Sequence, residues 1–210
     1  MNIVVRRAIE LFILFVVLPA SLSINYPIWI KVSIVLCSFI YVVYILKKEY
    51  NFGFEFPQKW SIIQFRNRVL INFSIIVLLT VAFVYFSDPD LLFSVVLKKP
   101  GLWAIILLVY TLLSVLPQEL IYRTFFFYRY QLLFKNRNVF IFLNAILFSL
   151  AHIFFKNTLV LILTFLGGLL FAYTYYKSKS TLLVSIEHAI YGNWLFTVGM
   201  GEMLAFPGAD

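Results

Sequence analysis

The sequence predicts an all-α fold: a polytopic transmembrane helical bundle of about seven spans. Composition is the first observation. Of 210 residues, 63% are hydrophobic and 12% charged, and the mean hydropathy is +0.96. A soluble domain is roughly 45–50% apolar and about 25% charged. Half that charge cannot wet a globular surface, so a soluble domain and a disordered chain are both excluded. Run length is the second. The apolar runs approach the roughly 20 residues that a helix needs to cross a bilayer, and helices satisfy their own backbone in lipid. A β-barrel would alternate apolar and polar residues over roughly 10 positions, whereas these runs are apolar on all sides. The third observation is the placement of Lys and Arg, which depends on the elements.

The first run, Ala8 to Leu22, follows Arg6 and Arg7. It resembles a signal peptide, with Ala20-Ser21-Leu22-Ser23 as the cleavage-like stretch. The many later spans favour an uncleaved signal anchor. The second run is Pro27 to Leu46, followed by a basic stretch in which Trp60 to Phe65 suit the interface. The third is Val69 to Phe86. Asp88, Pro89 and Asp90 form a turn, and Leu91 to Leu97 is too short to span. The fourth run, Gly101 to Phe134, has 34 residues and contains Pro117. Tilt, a kink or a protruding end must absorb that excess. The fifth is Val139 to Phe155, the sixth Thr158 to Tyr176, and the seventh Thr181 to about Phe206. No repeat or linker divides the chain, so residues 1–210 form one membrane-embedded domain.

With the N-terminus cytoplasmic, seven spans put Arg6, Arg7, Lys47, Lys48, Lys59, Arg66, Arg68, Arg129, Lys135, Arg137, Lys177 and Lys179 inside. Only Lys98, Lys99 and Lys156 fall outside. That is 12 of the 17 basic residues against three, the asymmetry expected of cytoplasmic loops. The C-terminus then lies outside. The net charge of +8 therefore reflects topology, and no nucleic-acid partner is expected. Cys37 is the single cysteine and excludes an intrachain disulfide.

Ionisable groups within apolar helices cost at least about 2.5–3.5 kcal/mol each, so they mark function. Glu10 and Lys31 lie near span ends and can snorkel. The rest form three clusters in the second half of the chain. Gln118 and Glu119 follow Pro117, and Glu119 shares a helix face with Arg123 four residues on. Asn144, Phe148 and His152 recur at four-residue spacing. Glu187, His188, Tyr191, Gly192 and Asn193 form the third, where Asn193 sits roughly 140° round from His188 in a regular helix. Each cluster alone is also explained by polar helix packing. Together they hold both histidines of the chain. Glu119 lies 16 residues before Lys135 and His152 lies 15 after Arg137. In antiparallel neighbours both sit roughly 22–24 Å along their helices.

The pattern Gln118-Glu119-xxx-Arg123, then Phe148-xxx-His152, then a terminal His188 motif resembles the CAAX protease and bacteriocin-processing family, the Abi-type intramembrane proteases. The resemblance covers about Val115 to Gly201, within a motif-bearing core of about 101–206. Two positions depart from the family pattern. Gln118 replaces the first glutamate of the pair, and Gly192 stands four residues after His188 where the family has Asn or Asp. Asn193 follows one residue later, and a π-bulge could bring it onto the His188 face.

The resemblance implies an intramembrane endopeptidase acting on a peptide or membrane-associated protein, with the lipid bilayer as its surroundings. Glu119 is then the general base and His152 orients the water. His188 with Asn193 or Tyr191 stabilises the oxyanion, and Arg123 holds Glu119. Gln118 and Phe148 support the site. This metal-independent glutamic mechanism needs no cofactor. The alternative is a divalent metal such as zinc on Glu119, His152 and His188, a set of acceptable ligand types without the H-E-x-x-H spacing. Two non-protease readings stand beside it. One is a catalytically impaired family member serving as a binding, immunity or scaffold protein. The other is a proton-coupled transporter, which lacks the expected internal symmetry. The abundance of Phe (24) and Tyr (13) with Ile, Asn and Lys suits an AT-rich bacterial genome, hence a bacterial plasma membrane.

Overall fold

The computed structural model describes residues 2–50 and 62–204. Lys59, Trp60 and the end of the seventh run at Phe206 lie outside them. Seven long helices form the described part. Helix α1 covers 3–21, built from Ile3–Phe12, a π-turn at Ile13–Val17 and Leu18–Ser21. Helix α2 is Ile28–Glu49 and α3 is Ile62–Ser87. Two short turns, Pro89–Leu91 and Ser94–Lys98, lead into α4, Pro100–Leu133. Helices α5, Arg137–Phe155, α6, Thr158–Ser178, and α7, Thr181–Val198, complete the bundle. There is no strand among the described residues.

Five helices, α2 to α6, are long and apolar enough to cross a membrane. The chain is an integral membrane protein with an all-helical fold. The other two fall short for different reasons. Helix α1 carries Arg6, Arg7 and Glu10, while α7 is diluted by Glu187, His188 and Asn193. A count of seven spans is therefore not reproduced by length and hydropathy alone.

Side-chain caps define where the last three helices begin. Asn136 accepts from the amides of Asn138 and Val139, and Asn157 from those of Leu159 and Val160. Ser180 accepts from Leu183. These contacts satisfy first-turn donors that have no partner within the helix. Helices α5 and α6 make the most extensive pairing. A Cβ on Gly168 would lie 3.0 Å from Cα of Ala145, so the glycine sets their close approach. Gly199 ends α7 at φ +103° against the Leu91 carbonyl.

The outer surface is apolar: Leu78, Leu79 and Leu113 are each more than 60% exposed. The interior holds the polar groups. Three expectations change here. An aromatic stretch such as Phe125-Phe126-Phe127-Tyr128 reads as lipid-facing and interfacial, yet Phe125, Phe126 and Phe127 are buried. Phe15 and Phe140 pack on them. Glu10 does not snorkel outward. It accepts from Arg129, Tyr130 and Tyr41. Arg68, assigned to a cytoplasmic loop, lies on α3 and reaches the Thr174 hydroxyl, the Leu170 carbonyl and Glu187.

Candidate functional site

Helix α4 is not regular around its motif. π-helical turns at Tyr110–Val115 and Leu120–Phe125 flank the short α-helical piece Leu116–Glu119. Pro117 has no amide to donate, and the wide turns beside it are of a kind frequent at functional sites. The interruption expected at Pro117 is thus spread over both sides of it.

Glu119 points into the bundle and is fully buried. Its Oε1 accepts from His188 Nδ1 on α7 at 2.7 Å. Its Oε2 lies 3.3 Å from Arg123 Nε but makes no hydrogen bond among the described residues. Arg123 is also fully buried. Its Nη1 donates to Asn144 Oδ1 at 2.7 Å, and Asn144 Nδ2 donates to the Tyr122 carbonyl at 2.7 Å. The guanidinium sits 4.6 Å over the Phe148 ring, a desolvated cation–π contact. Among the described residues its Nε and Nη2 carry no hydrogen bond, and neither does Oε1 of Gln118, whose amide donates to Ser114.

The His188 ring is held on several sides. It stacks on Phe171 at 4.3 Å between centroids and meets the edge of Phe148. Tyr110 approaches its other nitrogen, with Oη 3.1 Å from Nε2. Sequence reasoning missed Tyr110. Nine residues before Glu119, it stands about half a turn out of phase in a regular helix. The intervening π-turn changes that phase, and no sequence signal marked the turn.

Of the expected residues, Glu119, Arg123, Phe148 and His188 come together. His152 meets this group at Phe148. It lies just past the α-helical part of α5, which ends at Leu150, with Nδ1 2.8 Å from the Phe148 carbonyl, and the Phe148 ring contacts both His152 and His188. Among the described residues no three His, Cys, Asp or Glu side chains group as metal ligands. Of the trio Glu119, His152 and His188, only the first and last are in contact. Tyr191 and Asn193 are engaged elsewhere. Tyr191 Oη donates to Glu187 Oε1 at 3.1 Å, and Asn193 Nδ2 donates to Thr111 Oγ1 at 3.1 Å. Helix α7 is α-helical throughout, so no π-bulge turns Asn193 onto the His188 face. The wide turns lie on α4 instead.

Residues 100–194 match a family model described as type II CAAX prenyl endopeptidase Rce1-like. No curated protein and no solved structure matches the chain. The matched segment runs from the start of α4 to Trp194 on α7 and contains every residue of the cluster above. Through residues 100–194, a little under half of its length, the chain is similar to the Rce1-like type II CAAX prenyl endopeptidases.

Proposed function

We propose that the protein is an intramembrane endopeptidase that hydrolyses a peptide bond of a membrane-associated substrate with a water activated by Glu119. The supporting observation is the asymmetric carboxylate. One oxygen is held by His188 at 2.7 Å, while the other is buried and makes no hydrogen bond among the described residues. A general base needs an oxygen free to accept a proton. Oε2 takes a proton from water, and the water oxygen bonds to the scissile carbonyl carbon. The tetrahedral oxyanion collapses, the C–N bond breaks, and the leaving amine takes the proton back from Glu119. The Arg123 guanidinium beside Oε2 supplies positive charge in a low-dielectric site, where such charge acts strongly. His188 fixes the rotation of the carboxylate. Gln118 can donate or accept hydrogen bonds but cannot serve as the base.

The mechanism uses no metal. His152, in contact with Phe148, serves as an aid to the water. The family description points to a prenylated C-terminal peptide as the substrate class. The N-terminus and the basic ends of α2, α4 and α6 face the cytoplasm in this reading, and the host membrane is a bacterial plasma membrane.

The test uses purified protein in lipid nanodiscs and a fluorogenic farnesylated CAAX peptide. Wild type cleaves it, and Glu119→Ala does not. Equal rates for the two would overturn the reading.

A further inference from the structure

The strongest unassigned feature is a steric fit between α4 and α7. Gly192 lies directly under the Tyr110 ring. A Cβ at position 192 would sit 2.2 Å from Tyr110 Oη and 2.4 to 2.6 Å from the neighbouring ring carbons. Real Cβ atoms do not approach that closely, so any side chain there displaces the phenol. The same phenol lies 3.1 Å from His188 Nε2. Its ring packs edge-on against Phe196 at 5.1 Å. One helical step on, Asn193 ties α7 to Thr111, the residue after Tyr110.

Proton placement follows from the partners. His188 Nδ1 faces a carboxylate oxygen, so that nitrogen carries the hydrogen and donates. In the neutral ring Nε2 is then an acceptor, and the Tyr110 hydroxyl donates to it. The donors run in one direction: Tyr110 to His188 to Glu119. A hydroxyl, an imidazole and a carboxylate in that order fix both the tautomer and the ring orientation.

We propose that Tyr110 is the positioning residue of the Glu119–His188 pair and that Gly192 is the residue that admits it. Tyr110 holds His188 so that Oε1 of Glu119 stays engaged and Oε2 stays open. Gly192 thereby acts through an absent side chain, at the position where the family motif carries an amide or a carboxylate. The catalytic consequence rests on the endopeptidase reading. The geometric claim does not, and the two fail separately.

The chain has two histidines, so ¹⁵N-histidine labelling gives two resolvable rings. Tyr110→Phe removes the hydroxyl and keeps the ring. Gly192→Ala adds only a Cβ, and alanine is the better helix former. Both variants are expected to shift the His188 Nε2 signal and leave the His152 pair in place. Unchanged His188 signals in both would overturn the proposal. On the farnesylated peptide, each variant is expected to lose about a hundredfold in rate, the scale of a small misplacement. In a Tyr110→Ala background, where the ring is gone, Gly192→Ala should cost no further activity. A full, independent loss there would also overturn the proposal. If wild type cleaves nothing, the endopeptidase reading fails, and the histidine signals still decide the role of Tyr110.

Discussion

Two inward-pointing carboxylates, partly buried Glu10 and fully buried Glu119, have opposite hydrogen-bond states. Glu10 is saturated. Its Oε1 accepts from Arg129 Nε and Tyr130 Oη, and its Oε2 from Arg129 Nη2 and Tyr41 Oη, all at 2.8 to 2.9 Å. Arg129 also donates to Glu49, so this cluster ties α1, α2 and α4 together. Glu119 is half saturated, with one oxygen on His188 and the other beside an arginine without a hydrogen bond. A carboxylate with every lone pair engaged cannot take a proton without losing a bond. One with an open oxygen can. The first arrangement is a staple, and the second is a poised base. Buried unpaired polar atoms are rare in native proteins and call for a reason. Here Glu119 Oε2 and Arg123 Nε, 3.3 Å apart, both lack a hydrogen bond among the described residues.

The largest effect that could break this contrast belongs to Glu119→Gln. The amide keeps the size of the side chain and an acceptor for His188 but cannot take a proton. Peptide cleavage is expected to fall by about 10²–10⁴-fold, the range of a general base, while the variant still reconstitutes into nanodiscs. Glu10→Ala should do the reverse. It leaves Arg129 with less of its counter-charge in a largely buried setting, and losing one partner of such a pair costs about 3 kcal/mol. The expected readout is a lowered unfolding midpoint, with cleavage per folded molecule unchanged. Loss of activity in a fully folded Glu10→Ala protein would dissolve the distinction between staple and base.

Gln118→Glu sharpens the contrast from the other side, since it adds a second carboxylate at the position before Glu119. The endopeptidase reading expects an active wild type and a change of less than about tenfold in the variant. An inactive wild type with an active Gln118→Glu would instead make the natural chain a non-catalytic family member.

Much of this arrangement is legible in the sequence, for reasons that can be named. The 34-residue run becomes α4, Pro100–Leu133, because a long apolar stretch leaves few other choices. The Glu119–His188 contact is legible because ionisable groups inside apolar runs are few, and each needs a partner. Burial of Phe125 to Phe127 is not legible, because lipid and protein core are equally apolar and select the same residues. The partners of Arg68 and Glu10 are hidden because they lie about a hundred residues away in sequence. Tyr110 is hidden because helical phase assumes 3.6 residues per turn, and α4 departs from that period on both sides of Pro117.

Glu187 supplies the smallest and most discriminating effect, because it shares half of the feature credited to Glu119. Its Oε1 accepts from Tyr191 and lies 3.6 Å from Arg68, and its Oε2 is without a hydrogen-bond partner among the described residues. An open oxygen is therefore not sufficient for a base. What Glu187 lacks is a histidine on its other oxygen, since His188 turns about 100° away along the same helix. Its work is to join α3 to α7 through Arg68. Glu187→Gln keeps an acceptor for Tyr191 and should cost about 1–3 kcal/mol of stability through the partner left behind. Cleavage per folded molecule should stay within a few-fold of wild type. A loss as deep as that of Glu119→Gln would move the base to Glu187, and the histidine contact would cease to identify it.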